Sequence, residues 1–261
     1  MTPAIRALGE NFSKARILIF ANPSAARVLH SNPFGMEIRI YRDPWDLFRN
    51  LAAIRKAQYD LALGLSKSGS LINRFCGASR HYDFFNLHCR LDRSVIRTGL
   101  DVVESAGCLP GSSRTQFWMH PWEEATAVET VAGFLSSVRY HGAPLIAIHS
   151  GGHYFIRKRW PLKHYIQLTQ YIQTQTGFRV VLIGGREDME NARMIQKTVP
   201  QVINATGRLK LTETAVLLKY CRIFLGNDSG PLHLAAAMGT PTLGLFGPTA
   251  PTQFYPYHPP E

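Results

Sequence analysis

The sequence predicts an α/β architecture with a mostly parallel sheet, and three observations carry that reading. Short apolar runs alternate with amphipathic segments along most of the 261 residues. Four apolar runs of the second half end in glycine-containing loops: "HSGG" (149–152), "GGRED" (184–188), "GNDSG" (226–230) and "FGPT" (246–249). The chain is also long enough for two modest domains. Between them the Pro-, Gly- and Ser-bearing stretch "CLPGSSRTQFWMHPWEE" (108–124) supplies a crossing. The boundary is expected near residue 120, giving domains 1–120 and 121–261.

Taken in order, "PAIRALGENF" (3–12) predicts a helix with proline near its first turn. "ARILIFA" (15–21), "EIRIY" (37–41) and "DLALGL" (60–65) are candidate strands. "DPWDLFRNLAAIRKAQ" (43–58), "SGSLINRFCGA" (68–78) and "DRSVIRTGLDVVESAG" (92–107) have helical character, and Gly107 is a natural stop for the last. Past the crossing, strands are expected over 144–150, 179–185, 201–206, 222–227 and 241–247. The helix "LKHYIQLTQYIQTQTG" (162–177) is expected to stop at Gly177. The short "LHLAAAM" begins beside Pro231, which suits a first helical position, and is closed by Gly239. The ending "PTQFYPYHPPE" is proline-rich and predicts no closing helix.

Composition narrows the function classes. An apolar share of 45% with 18% charged residues is ordinary for a soluble globular protein. No apolar run reaches 18 residues, so no membrane span is expected, and "MTPAIRALGENFSK" lacks the three-part order of a signal peptide. Cys76, Cys89, Cys108 and Cys221 stand without metal-ligand or redox spacing and read as reduced thiols of a cytosolic protein. The net charge of +11 suits nucleic acid, an anionic membrane face or a phosphorylated substrate. No zinc finger, RNP motif or phosphate-binding Gly-Lys-Ser loop accompanies it, and the basic residues form no stripe with aromatics. Nucleic acid is therefore not an expected partner.

The four loops at strand exits carry the chemistry. Ligands of an open parallel sheet bind outside the carboxyl ends of its strands, so these loops are expected to line one crevice. Glycines such as Gly151 let the backbone approach a ligand closely. Asp228, Ser229 and Gly230 stand at a helix head with His233 one turn on, where free N–H groups and the dipole favour an anion. Taken singly, Asp228 or Ser229 also fits an ordinary N-cap, and His233 a packed helix residue. Lys158 and Arg159 precede Trp160-Pro161 at a helix start. They suit phosphate oxygens, or else a solvated basic loop. Glu187 and Glu190 suit ribose hydroxyls, or else the first turn of a helix, where the dipole favours carboxylates.

"FLGNDSGPLHLAAAMGTPTLGLFGPTAP" resembles the signature of glycosyltransferase family nine, the lipopolysaccharide core heptosyltransferases. "KRWP", "VVLIGGREDMENA" and "NATGRLKLTETAVLLKYCRIFLGNDSG" match the family's order and spacing as well. Before about residue 145 the resemblance is weaker, through "TPAIRAL", "SKARILIFANPSAARVLHSNP" and "DLALGLSKSGSLINRFCGAS". It implies a GT-B fold, two Rossmann-like domains facing across a cleft, with the donor in the second and the acceptor presented by the first. It also implies an ADP-activated sugar donor, typically ADP-heptose, as a substrate; a lipopolysaccharide core or lipid-linked acceptor; inversion by direct displacement; and no cofactor or essential metal. The setting it implies is cytoplasmic, at the inner face of an inner membrane whose anionic surface the basic chain would suit. Carried over by motif, Asp228, Ser229, Gly230 and His233 hold the diphosphate and sugar. Lys158 stabilises the leaving phosphate, and a glutamate of "GGREDME", Glu187 or Glu190, holds the ribose. The resemblance also implies a strand and a Gly-Asp turn before "TPAIRAL", whose Asp serves as the general base. Here that helix begins at Met1, so the base has no counterpart, and the segment that completes the second domain is absent after Glu261. The expectation is a chain cut at both ends, with its first domain lacking the first strand, the remaining reading being a non-catalytic nucleotide-sugar-binding remnant.

Overall fold

The computed structural model describes residues 1–66, 69–70, 73–83, 93–152 and 158–256. The predicted helix over 68–78 falls partly outside them, as does Cys89. The described chain divides into two compact units, Met1–Trp118 and Met119–Pro256, and every strand ladder in both is parallel.

The first unit opens with α1 (Thr2–Asn11). Strands β1 (Leu18–Ala21) and β2 (Glu37–Ile40) form one two-stranded ladder. A second joins β3 (Leu61–Gly64) to β4 (Arg80–Asp83). Sequence periodicity missed β4, because "RHYD" has neither an apolar run nor β-branched residues and three of its four positions keep solvent contact. Helix α2 (Pro23–Leu29) links β1 to β2, and Asn22 caps it by accepting from the Ala25 N–H at 2.8 Å.

The single helix expected over 43–58 is two, α3 (Pro44–Arg49) and α4 (Leu51–Lys56). Asn50 breaks it at φ −89°, ψ 0°, where its side-chain amide donates to the Asp46 carbonyl at 2.6 Å and competes with the helical ladder. Helix α5 (Val95–Ser105) starts at a Ser94 cap. It ends as expected at Gly107, whose φ of 93° lets the N–H of Cys108 reach the Val103 carbonyl at 3.0 Å. Small residues on α1 let the elements approach. Ala4 and Ala7 pack with Ile96, Leu100 and Val103 of α5, while Ile5 meets Leu29 and Met36. Leu8 lies against both groups and so ties α1 to Leu63 as well as to Ile19 and Ile38.

The second unit begins with α6 (Pro121–Ser137), a 17-residue helix that takes up the end of the predicted crossing. The Glu123 carboxylate accepts from the His120 N–H at its head. Five strands then form one sheet: β5 (Leu145–His149), β6 (Arg179–Leu182), β7 (Ile203–Asn204), β8 (Cys221–Asn227) and β9 (Thr242–Leu245). Their order is β7-β6-β5-β8-β9. The chain therefore winds outward from β5 to β7 and returns to the other side of β5 with β8, which makes the β5–β8 junction the switch point of the sheet.

The intervening helices are α7 (Leu162–Gln175), α8 (Met189–Thr198), α9 (Leu211–Lys219) and α10 (Gly230–Ala237). Burial on both faces explains why β5 reads as an unbroken apolar run, buried at every position. Ile146, Ile148, Val180 and Leu182 meet Tyr165 and Ile172 of α7 and Ile195 of α8 on one face. Helix α7 stops just before Gly177, as expected, but that glycine is not in the left-handed region. Thr176 leaves it in an extended conformation, and its hydroxyl donates to the Ile172 carbonyl at 2.7 Å. One further turn, α11 (Pro251–Phe254), forms where no helix was expected.

Ile195 is fully buried in this core while its neighbour Met194 is 45% exposed. Ile195→Ala is expected to lower the unfolding free energy of the second unit by about 2–5 kcal/mol, and Met194→Ala to change it by less than about 0.5 kcal/mol. Urea unfolding followed by circular dichroism tests the contrast, and equal effects would contradict the assigned face of α8.

Candidate functional site

At the switch point, the carboxyl ends of β5 and β8 bring three loops together around Asn227, the last residue of β8, which is fully buried. Its side-chain oxygen accepts the Trp160 N–H at 2.9 Å, and its amide donates to the Gly151 carbonyl at 2.8 Å. One side chain thus fixes the loop after β5 and the entry to α7 against the end of β8. A buried amide with both ends bonded is costly to disturb.

Asp228 follows, 9% exposed. Its Oδ2 accepts Lys158 Nζ at 2.8 Å and the Thr249 hydroxyl at 2.7 Å, and His233 Nε2 lies 3.9 Å from Oδ1. Lys158 also lies over the Phe254 ring, 5.6 Å from its centroid. Lys158, Asp228 and His233 therefore meet in one group, with Thr249 of the "FGPT" loop. His233 is half exposed, yet the desolvation it does suffer holds its imidazole below the ordinary value, outweighing the upward pull of Asp228, and Lys158 adds to the lowering.

Ser229 occupies the N-cap position of α10, but its hydroxyl does not cap the helix. Oγ instead lies 3.1 Å from His149 Nδ1 and 3.0 Å from the carbonyl of Asn227. Gly230 and Pro231 open the helix, and the proline contributes no N–H there. Behind Ser229, His149 Nε2 meets Asp188 Oδ2 at 3.1 Å, and both side chains are more than nine-tenths buried. Burial works to raise the Asp188 pKa. The hydrogen bond and charge of His149, with the N–H groups of Gly185 and Gly152, outweigh it and hold the carboxyl below its ordinary range.

Two glycines of the strand-exit loops serve this carboxylate. A methyl group on Gly151 would overlap Asp188 Oδ1, and one on Gly184 (φ 152°) would stand 2.6 Å from Oδ2. Glu187 is exposed on the 3₁₀ turn Arg186–Asp188, with its carboxylate against Gly185. Glu190 is exposed on the first turn of α8, 3.8 Å from Arg193. Sequence reasoning marked the loops but passed over His149, Asp188, Asn227 and Thr249. The available signal was an ionisable residue closing the apolar run "PLIAIH".

The family model described as Glycosyltransferase family 9 (heptosyltransferase) matches residues 109–260, more than half of the chain. Lipooligosaccharide heptosyltransferase 2 of Haemophilus influenzae is 33% identical over 135 residues, a match covering 49% of this chain and 39% of that protein. The chain thus aligns with about two fifths of that curated relative's length. Among solved structures, the glycosyl transferase family 9 protein from Veillonella parvula superposes with a TM-score of 0.75 at 23% identity, covering 98% of this chain and 80% of that one. The E. coli heptosyltransferase WaaC with ADP gives a TM-score of 0.67 at 17% identity, over 98% and 85%. These likenesses show the fold: α/β units with parallel sheets.

The lowered pKa of Asp188 carries a pH dependence of stability. A carboxyl depressed in the folded state stabilises above its unfolded value, about 3.9, and that contribution is lost as pH falls through the lower folded value. Asp188→Asn is expected to cost about 1–3 kcal/mol at pH 7 and to flatten the fall of stability below about pH 4. Urea midpoints from pH 2.5 to 7 test this. A variant with the same acid slope as the parent would show that the pair contributes nothing.

Proposed function

Because this chain belongs to glycosyltransferase family 9, the heptosyltransferases, we propose that its second unit binds an ADP-activated heptose and that the protein transfers the sugar to a lipopolysaccharide core acceptor with inversion. The observation that carries this reading is the meeting of Lys158, Asp228 and Ser229 at the head of α10, beside the switch point of a parallel sheet. A basic side chain next to a helix N-terminus suits a diphosphate, and both elements favour the charge that the leaving group gains.

The roles follow from donor and acceptor capacity. Lys158 and the N–H of Gly230 face the diphosphate, and Ser229 adds a hydroxyl. Asp228 is an acceptor only, so it holds Lys158 and receives sugar hydroxyls rather than phosphate oxygens. It engages Lys158 at 2.8 Å, so the ammonium that meets a phosphate is oriented by the protein itself. His233 borders the sugar. Gly151 presents backbone beside the donor, and Glu187, with Glu190 further along the same segment, supplies acceptors for the ribose hydroxyls.

In the step itself, an acceptor hydroxyl oxygen bonds to the anomeric carbon as the bond to the diphosphate breaks. ADP leaves with the electron pair, and the hydroxyl proton passes to a base for which the second unit offers no assigned residue. No cofactor or metal is given a part. The acceptor is a lipid-linked core saccharide, and a chain with a charge of +11 suits the anionic cytoplasmic leaflet that would carry it. Among the described residues, no helix is long and apolar enough to cross a membrane.

Titration calorimetry with ADP and with ADP-heptose tests the donor site. Lys158→Ala is expected to weaken ADP binding roughly ten- to a hundred-fold, the loss of one charge-assisted contact of about 1.5–3 kcal/mol. Unchanged binding in that variant, or no binding by the parent, would overturn the site. Donor binding without transfer to a core acceptor would favour the non-catalytic reading.

A further inference from the structure

The chain Asp188–His149–Ser229–Asn227 holds a fixed number of protons, and that number decides what Ser229 offers a ligand. Asp188 is acceptor-only when ionised, so the Nε2 that faces it at 3.1 Å carries a proton. On the other side of the ring, Nδ1 faces Ser229 Oγ at 3.1 Å, and Oγ lies 3.0 Å from the Asn227 carbonyl. That carbonyl only accepts. With Nδ1 unprotonated, one hydroxyl proton would have to serve both Nδ1 and the carbonyl. With Nδ1 protonated every contact is satisfied, because Nδ1–H donates to Oγ and the hydroxyl donates to the carbonyl. Buried polar groups settle into such complete arrangements.

We propose that His149 is a positioning residue of the donor's phosphate site, held as an imidazolium between Asp188 and Ser229. This rests on the donor-site reading above. In that state Oγ is supported from behind by Nδ1–H, and the Ser229 proton can turn from the Asn227 carbonyl to a phosphate oxygen. A neutral ring with Nε2–H would instead claim that proton for itself. The imidazolium also places a buried positive charge one residue's reach from the head of α10, where the dipole already favours an anion. The charged and titratable groups around the assembly are Asp188, on the turn after β6, and Lys158, Asp228 and His233 beside Ser229. Arg159 is turned to the Gly152 carbonyl at 2.7 Å. The ligand class is the diphosphate of a nucleotide, and the ring never touches it.

The experiment pairs ring ¹⁵N spectra of the whole chain at pH 7 with ADP titrations of the parent, His149→Gln, Ser229→Ala and the double variant. The glutamine variant identifies the His149 signals among those of the ten histidines by their loss. It also keeps a donor for Asp188 while giving up the contact to Ser229. Both ring nitrogens of His149 are expected to be protonated. Each single variant should bind ADP roughly five- to ten-fold more weakly, the size of one hydrogen bond, and the double variant no more weakly than either. A neutral ring, multiplying losses, or parent-like ADP binding by His149→Gln while Ser229→Ala is weakened would overturn the proposal and leave the donor site standing. Parent-like binding by Ser229→Ala would overturn this proposal, while the donor site itself stands or falls with Lys158→Ala. The spectrum of the parent decides the charge state even if a variant fails to fold.

Discussion

The side-chain amide of Asn227 is the joint on which the site is built. It is fully buried at the end of β8 and uses its oxygen for the Trp160 N–H and its nitrogen for the Gly151 carbonyl. Those bonds hold the loop after β5 and the entry to α7 beside the head of α10. Lys158 stands two residues before Trp160, so its reach to Asp228 depends on the same joint. An amide can do this because it donates and accepts from one rigid plane. A carboxylate could not donate to Gly151, and an aliphatic residue would leave buried backbone groups unpaired at about 1–3 kcal/mol each.

Around that joint the charges sit in two layers. The inner one, Asp188 with His149, is shut away from water and enclosed by Gly151 and Gly184, which leave no room for a side chain. The outer one, Lys158 with Asp228, Thr249 and His233, is partly open on the lysine side. Ser229 bonds inward to His149 and follows Asp228 directly in the chain, so it links the two. The inner pair gains from low dielectric and its neighbouring N–H groups. The outer pair is oriented but still exchangeable, as a binding group for a charged ligand has to be.

Most of the strands were legible because both faces of the sheet are buried, and such strands show as unbroken apolar runs like "PLIAIHS" and "RVVLIGG". Strand β4 was not, because "RHYD" is held by its ladder to β3 rather than by an apolar pattern. The break at Asn50 was hidden for a similar reason, since only a side-chain bond to a carbonyl one turn back shows that the helix stops there. The glycine loops were read as room for a ligand's approach. The structure shows that Gly151 and Gly184 first make room for Asp188, a distinction composition cannot make because both uses require the same missing Cβ. Ser229 was found through its helix position, yet its hydroxyl points to His149, a partner 80 residues away that no local pattern announces.

The account holds that the anion site lies at the head of α10 between Lys158 and Ser229. A crystal structure of the chain grown with ADP tests this most directly. The account predicts the diphosphate within hydrogen-bonding distance of Lys158 Nζ, the Gly230 N–H and the Ser229 hydroxyl, with the adenosine on the side of Glu187. A diphosphate seated elsewhere on the second unit, with Lys158 still closed on Asp228, would contradict it.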